Sequence, residues 1–317
     1  MQTITGSLVA LVTPFNDDLE QTVNFDKLEE LIHYHADSGT SAVVVCGTTG
    51  ESPTLSHQEH EQVVSKATQV AKARGVKIIA GTGSNSTKEA VRFTAHAAEM
   101  GVDACLVVTP YYNKPTPAGL MAHFRELDRI GVPLIAYNIP GRTGINIAPH
   151  TFIELVHACE NIVGLKASNG NLDEITETAY LLRSLPRTCA IYSGDDSLTL
   201  PILAVGGVGV ISVIANVLPK TMSQLVQEYQ SQHTESARTI AQNLHLFCRS
   251  LLKVGANPSP IKAVMNMAGM QVGSVRKPLV DISPEQAALL ATQSKKMAED
   301  FANSNLDYEG LNLTPPQ

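Results

Sequence analysis

The sequence predicts a (β/α)8 barrel followed by a C-terminal helical extension. Short strands rich in Val and Ile recur along the chain, and most follow a helix and a turn, at a spacing of roughly thirty residues that matches one βαβ unit. The strands are almost continuously apolar, which is typical of a parallel sheet covered on both faces. Eight such strands are the number that closes a (β/α)8 barrel.

The eight predicted strands come in order along the chain. They lie towards the C-terminal ends of the segments SLVALVT (7–13), ADSGTSAVVVCG (36–47), KARGVKIIAGT (72–82), AEMGVDACLVVTP (98–110), DRIGVPLIAYN (128–138), ENIVGLK (160–166), TCAIYSGD (188–195) and GGVGVISV (206–213). An open doubly wound sheet is the alternative fold. However, no G-x-G-x-x-G motif opens a helix after the first strand.

The helices between the strands carry capping and periodicity signals. Ser56 with Glu59, and Ser86 with Glu89, fit the capping box, in which the serine accepts from the helix backbone and the glutamate reaches back. A buried face of the first helix is predicted at the i, i+3, i+4, i+7 positions Leu28, Leu31, Ile32 and His35.

The strand pattern stops near Pro219, and helical patterns continue to about Asn303. We therefore divide the chain into a barrel (1–230), a C-terminal helical extension (231–305) and a tail (306–317). The tail ends in a proline-containing segment, and we expect it to be mobile.

Composition excludes several classes of protein. Of 317 residues, 44% are hydrophobic and 17% charged, so the chain can bury a large core and is not disordered. A formal charge of -7 argues against nucleic acid as the main partner. The five cysteines lie in apolar stretches without a C-x-x-C pair, which predicts a reducing, cytoplasmic location.

Two features bear on membranes and targeting. The first positive charge is Lys27, so we expect no signal peptide. The segment 197–219 is uncharged and nearly long enough to span a bilayer. Because Pro201 and several glycines interrupt it, we interpret it as buried barrel and expect no contact with a membrane.

The C-terminal strand ends of such a barrel carry its catalytic groups, and here they form a polar rim with one lysine. Lys166 ends a buried strand. It either extends to solvent or acts as a Schiff-base nucleophile. A lysine amine is ordinarily protonated near neutral pH, and an apolar pocket favours the neutral nucleophile.

The neighbouring strand ends offer groups for such chemistry. Tyr137 is a candidate general acid/base or an ordinary rim tyrosine, and Thr48 could link it to Tyr112 through hydroxyl hydrogen bonds. Arg142 could bind a carboxylate in bidentate fashion or be a solvated loop charge. The histidines lack an H-E-x-x-H motif, so we predict no metal site, and nothing in the sequence indicates a cofactor.

Five motifs resemble the 4-hydroxy-tetrahydrodipicolinate synthases, also called dihydrodipicolinate synthases, a family of class I aldolases related to N-acetylneuraminate lyase. They are GTTGES (47–52), TPYYNKP (109–115), YNIPGRTG (137–144), GLK (164–166) and GVISV (209–213). The resemblance extends from about Gly6 to about Pro278. It implies condensation of pyruvate with L-aspartate-4-semialdehyde in lysine biosynthesis by the diaminopimelate route, by a homotetramer built from dimers.

The resemblance also implies roles for individual residues. Lys166 matches the Schiff-base lysine and Tyr137 the proton donor and acceptor, while Thr48 and Tyr112 complete a hydroxyl relay, Tyr112 from a neighbouring subunit. The matching substrate-binding residues are Thr49, Ile211, Arg142 and Gly194. In lysine-inhibited members the effector binds at the dimer interface, and the matching residues are Ser52, His57, His60, Asn85, Glu89 and Tyr111.

This chain departs from many members in two places. Lys166 is followed by Ala167 and Ser168 instead of Glu-Ala, and Gly141 replaces a serine before Arg142. Two other functions are considered. The first is another pyruvate-dependent aldolase, such as a sialic acid or keto-deoxy-sugar acid lyase, and the second is a non-catalytic barrel that senses lysine or pyruvate.

Overall fold

The computed structural model describes residues 3–304 and 306–314. Its centre is a closed barrel of eight parallel strands in sequence order, so the predicted fold is confirmed. The strands are β1 (Gly6–Ala10), β2 (Ala42–Val45), β3 (Lys77–Gly81), β4 (Ala104–Val108), β5 (Leu134–Asn138), β6 (Ile162–Ala167), β7 (Ala190–Ser193) and β8 (Gly209–Ser212).

Helices alternate with the strands and cover the outside of the barrel. They are α1 (Phe25–Asp37), α2 (His57–Arg74), α3 (Thr87–Met100), α4 (Pro117–Asp128), α5 (Pro140–Thr143), α6 (Pro149–Ala158), α7 (Leu172–Leu182), α8 (Thr199–Ala204) and α9 (Pro219–Gln230). The C-terminal extension consists of α10 (Thr234–Val254), α11 (Ser259–Met267) and α12 (Pro284–Ser304).

The local helix predictions are confirmed in part. Ser56 and Glu59 form the capping box of α2, and the predicted face of α1 is buried. The capping box at Ser86 is wrong, because the Ser86 side chain makes no cap hydrogen bond. The Glu89 carboxylate instead binds the Ser84 hydroxyl and the His57 ring.

Side chains alternate along each strand and create two apolar layers. Those facing the barrel interior include Leu8, Val44, Ile79, Leu106, Ile135, Tyr137 and Ile211. Those facing the surrounding helices include Val9, Val43, Ile78, Cys105, Leu134 and Ile162. Lys166 pairs in register with Tyr137. The two side chains therefore point to the same side of the sheet, the interior, near the C-terminal end of the barrel.

The uncharged segment 197–219 runs through α8 and β8, as the interpretation of a buried barrel predicts. Within residues 3–304 and 306–314, no helix is long and apolar enough to cross a bilayer.

The expected mobility of the tail is corrected for residues 306–314. Leu311 is buried, and the Thr314 amide donates to the Met267 carbonyl at 3.1 Å. These contacts hold the tail against the C-terminal helices. The prediction for residues 315–317 and the domain bounds at residues 1 and 305 lie outside the described residues. The division into barrel, extension and tail stays a prediction.

Candidate active site

A cavity of about 180 Å³ lies at the C-terminal ends of the strands. It is smaller than the roughly 300–1,000 Å³ of pockets that hold drug-sized ligands, so it suits a small substrate. The lining brings together most of the predicted catalytic and substrate-binding residues, namely Thr48, Thr49, Tyr137, Arg142, Lys166 and Gly194.

Lys166 is fixed in this cavity by the strand that carries it. Its residue surface is only 5% exposed, and its Nζ lies 4.3 Å from the centre of the Tyr137 ring. Beyond it, the Ser168 amide donates to the Asn138 carbonyl at 2.9 Å, and the Gly194 amide donates to the Ala167 carbonyl at 2.8 Å. Because both neighbouring strands hold this backbone, the amine has a defined direction and little access to water.

Arg142 lies in the short helix α5, in a segment that the buried Asn138 fixes at the end of β5. The Asn138 Oδ1 accepts from the Ile147 amide at 3.0 Å, and its Nδ2 donates to Asn146 Oδ1 at 2.7 Å. The exposed Arg142 side chain donates from Nη2 to the Asn257 carbonyl at 3.0 Å. A guanidinium has five N–H donors, so Arg142 can also bind a carboxylate at the mouth of the cavity.

Thr48 and Thr49 lie in a tight turn after β2. The Thr13 hydroxyl donates to the Gly50 carbonyl at 2.7 Å, and the Asn257 Nδ2 donates to the Thr49 hydroxyl at 2.9 Å. A Cβ at Gly50 would lie 2.9 Å from the backbone nitrogen of Cys46, so only glycine fits there. The turn therefore presents its hydroxyl and amide groups in one geometry.

The other two predicted residues of this site lie elsewhere. Ile211 is fully buried in the barrel interior and does not line the cavity. Tyr112 is 90% exposed, and its backbone is left-handed, with φ of 69°. Its side chain therefore points away from the chain's own cavity.

The C-terminal extension contributes lining residues that the sequence analysis missed. They are Cys248, Leu251, Leu252, Asn257, Pro260 and Ile261. These residues follow the barrel by many positions and carry ordinary helical and loop signals, so no local pattern connects them with Lys166. The extension therefore closes the mouth of the barrel over the amine.

Asp196 follows β7 and also lines the cavity. Its Oδ2 accepts from the amides of Val213 and Ile214 at 3.1 and 3.0 Å, which fixes the turn after β8. Burial raises the pKa of this carboxyl group. Among the described residues, its Oδ1 and the Ser168 hydroxyl have no protein partner, and both residues line the cavity. They can hydrogen-bond a bound substrate.

The predicted effector residues form a second group beside α2 and α3. His57 Nε2 lies 2.5 Å from Glu89 Oε1. The hydrogen bond from Ser84, and then the one from His57, hold the pKa of Glu89 below its ordinary value. Glu89 is therefore an anion near neutral pH and can bind a cationic group.

His60 offers a buried acceptor in the same region. Its ring stacks on Phe93 with centroids 3.9 Å apart, and its Nε2 lies 2.8 Å from the Gly81 carbonyl. A carbonyl only accepts, so Nε2 carries the proton and Nδ1, which has no partner among the described residues, is an acceptor. Burial lowers the pKa of His60 to about 4, so the ring stays neutral.

The remaining effector candidates connect this group with the active-site turn. The Asn113 side chain donates to the Asn85 carbonyl at 2.8 Å, which ties the Tyr111 segment to the start of α3. Burial, and then the charge of Glu89, raise the pKa of Tyr111. The Ser52 amide donates to the Gly47 carbonyl at 3.2 Å, at the other end of the turn with Thr48.

A closed barrel with a cavity at its C-terminal face, lined by Lys166, Tyr137 and Arg142, is the arrangement of a (β/α)8-barrel enzyme. The chain belongs to the dihydrodipicolinate synthetase family, whose model matches residues 3–296. Its relatives are named 4-hydroxy-tetrahydrodipicolinate synthase, and the chain is an enzyme of this type, with a synthase role in lysine biosynthesis.

Three comparisons illustrate the similarity. The synthase of Aquifex aeolicus is 46% identical over 293 residues, which cover 92% of this chain and 97% of that protein. The synthase structure from Methylacidiphilum fumariolicum SolV is 38% identical, with a TM-score of 0.90, and covers 96% of this chain and 99% of that chain. The structure from Cyanidioschyzon merolae with lysine bound is 36% identical, with a TM-score of 0.85, over 96% and 99% of the two chains.

We predict that Gly194→Ala disables the site without unfolding the protein. A Cβ at Gly194 would lie 2.9 Å from Lys166 Cε and still closer to the Ser168 hydroxyl. The lysine must therefore shift, and a displacement of about 1 Å in a reacting group can lower the rate roughly 100-fold. Turnover and thermal unfolding are measured together. Gly141→Ala is the control, because a Cβ there meets nothing within 4 Å. Normal turnover in Gly194→Ala would contradict the prediction.

Proposed function

We propose that this enzyme condenses pyruvate with L-aspartate-4-semialdehyde through a Schiff base on Lys166, and so forms 4-hydroxy-tetrahydrodipicolinate. The observation that carries the proposal is the buried Lys166 amine in a small cavity with Tyr137 beside it. Family membership supports the choice of substrates.

The first steps follow from the chemistry of an amine and a keto acid. The Lys166 nitrogen attacks the keto carbon of pyruvate, and loss of water from the carbinolamine gives an imine. Removal of a methyl proton then gives an enamine, whose carbon attacks the aldehyde of the second substrate. Proton transfers are needed at each step, and the Tyr137 hydroxyl is proposed to carry them together with Thr48.

The two substrate carboxylates have separate proposed partners. Thr48 and Thr49 offer hydroxyl and amide donors to the carboxylate of pyruvate, next to Lys166. Gly194, which lines the same cavity, is proposed to complete this subsite, whereas the role of Ile211 stays an expectation from the family resemblance because its side chain does not line the cavity. Arg142, at the mouth, is proposed to bind the carboxylate of the semialdehyde in bidentate fashion.

The covalent step is tested by trapping with pyruvate and borohydride, which reduces an imine to a stable amine. We expect mass spectrometry to find the pyruvate-derived adduct on Lys166 in the wild type and none in Lys166→Met, which also loses turnover. Lys220→Met is the control, because Lys220 is exposed and does not line the cavity. An adduct on another lysine, or normal condensation by Lys166→Met, would overturn the mechanism.

We also propose that Tyr112 acts in the site of a neighbouring subunit in a homotetramer of dimers. The support is its 90% exposure together with a left-handed backbone that directs it outward. A relay hydroxyl has to reach a reacting group, so an outward tyrosine fits a shared site better than a self-contained one. A cytoplasmic location is proposed as well, and the five free cysteines support it.

A mixing experiment tests the shared site. Tyr112→Phe and Lys166→Met should each be nearly inactive alone. After dissociation and reassembly together, hybrid dimers contain one site with an intact Lys166 and the partner's intact Tyr112. An isologous interface with random pairing therefore restores about a quarter of the wild-type activity. No recovery after verified subunit exchange would contradict the shared site.

We further propose feedback inhibition by L-lysine at the effector group. The related structure from Cyanidioschyzon merolae has lysine bound. The Glu89 carboxylate and the His60 Nδ1 suit the amines of lysine, and Tyr111 and Asn85 suit its carboxylate. Ser52 and His57 are proposed to complete the site.

We predict that Glu89→Gln weakens inhibition by lysine and leaves turnover in its absence unchanged. A hydrogen bond to a charged group is worth about 1.5–3 kcal/mol, so the half-inhibitory concentration should rise tenfold or more. Glu61→Gln is the matched control, because Glu61 lies on the adjoining helix and pairs with Arg92. Equal inhibition of the Glu89→Gln variant and the wild type would place the effector elsewhere.

A further inference from the structure

A buried ion pair joins the turn that holds Thr48 and Thr49 to the C-terminal extension. The Lys262 Nζ lies 2.7 Å from Glu51 Oε1, and the two side chains are 1% and 0% exposed. Neither residue lines the cavity, so the proposed reaction does not account for them. The sequence offered one indication of this pair, namely a lysine among the apolar residues of α11.

Both charges have further polar partners that fix their positions. The Glu51 Oε2 accepts from the Arg276 amide at 2.9 Å, and Lys262 donates to the Ser274 carbonyl at 3.0 Å. The ammonium group also lies 4.0 Å from the centre of the Phe15 ring. Burial lowers the pKa of Lys262, and the charge of Glu51 opposes this shift. A buried charge with this many partners has one favourable position.

On the barrel side, Glu51 is part of the turn itself. Its backbone is left-handed, with φ of 54°, and its amide donates to the Thr48 carbonyl at 3.2 Å. A non-glycine residue in this conformation needs support from its surroundings. The anchored side chain can supply that support to the backbone that follows Thr48 and Thr49.

On the other side, Lys262 directly follows a segment that closes the cavity. Pro260 and Ile261 line it, and Asn257 donates to the Thr49 hydroxyl and accepts from Arg142. One short segment thus contacts two candidate substrate-binding residues. The N-terminal end of this segment contacts the Thr48–Thr49 turn through Asn257. Its C-terminal end is bound to the same turn through Lys262 and Glu51.

We propose that Glu51 and Lys262 are positioning residues, whose ion pair holds the Thr48–Thr49 turn against segment 257–261 in the geometry that receives the carboxylate of pyruvate. This inference rests on the proposed function. The competing explanation is an ion pair that only stabilises the fold.

The test is the double variant Glu51→Gln/Lys262→Met. Removing both charges avoids leaving one buried and unpaired, and glutamine keeps an acceptor for the Arg276 amide. We expect a cooperatively folded protein whose kcat/KM for pyruvate falls roughly 100-fold, as a displaced binding turn would cause. KM for pyruvate should rise because the carboxylate loses its positioned partners, and kcat should fall as well because the displaced turn carries Thr48 of the proposed proton relay.

Lys27→Met/Glu30→Gln is the matched control, because it removes a partly exposed pair of 2.6 Å on α1. It should keep the wild-type KM. An unchanged KM in a folded Glu51→Gln/Lys262→Met variant would overturn the positioning role. Failure of that variant to fold, while the control folds, would also overturn it, because the pair would then serve the barrel as a whole.

The wild type is trapped with pyruvate and borohydride in the same series. No wild-type adduct would contradict the proposed function itself. A wild-type adduct combined with an unchanged KM in the double variant would contradict only the positioning role.

Discussion

Confinement of one amine is the constraint on which this site depends. The Lys166 side chain lies inside the barrel, and residues of the extension line the mouth above it. Only 5% of the Lys166 surface is exposed. Strand pairing fixes its backbone on both sides, and the absence of a side chain at Gly194 leaves room for its aliphatic part. A nucleophilic lysine needs this combination, since water must be limited while a small keto acid still reaches the nitrogen.

The extension completes the site and is joined to the barrel by the buried ion pair of Glu51 and Lys262. Exposed pairs such as Arg129 with Glu126 at the end of α4, which do not reach the extension, typically contribute about 0–1 kcal/mol. Breaking a buried pair such as Glu51 with Lys262 by removing one partner typically costs about 3–5 kcal/mol. Loss of one partner of the buried pair would therefore cost more free energy of unfolding than loss of an exposed pair elsewhere on the surface.

Local patterns were sufficient for the barrel and for much of the cavity. Strand ends converge in any closed parallel barrel, so Thr48, Tyr137, Lys166 and Gly194 could be placed together from their positions alone. The second predicted capping box failed because a serine–glutamate spacing does not reveal competing partners, and Glu89 found two. The pairing of Glu51 with Lys262 depends on packing between segments that are distant in sequence, and local sequence periodicity does not predict such packing. The packing of the tail on Met267 is of the same kind.

The most direct test of the central claim is a crystal structure of the protein after exposure to pyruvate. The account predicts continuous density from Lys166 Nζ to the keto carbon, with the pyruvate carboxylate on the turn of Thr48 and Thr49. Pyruvate bound without a covalent bond to Lys166, or bound at another site, would contradict it.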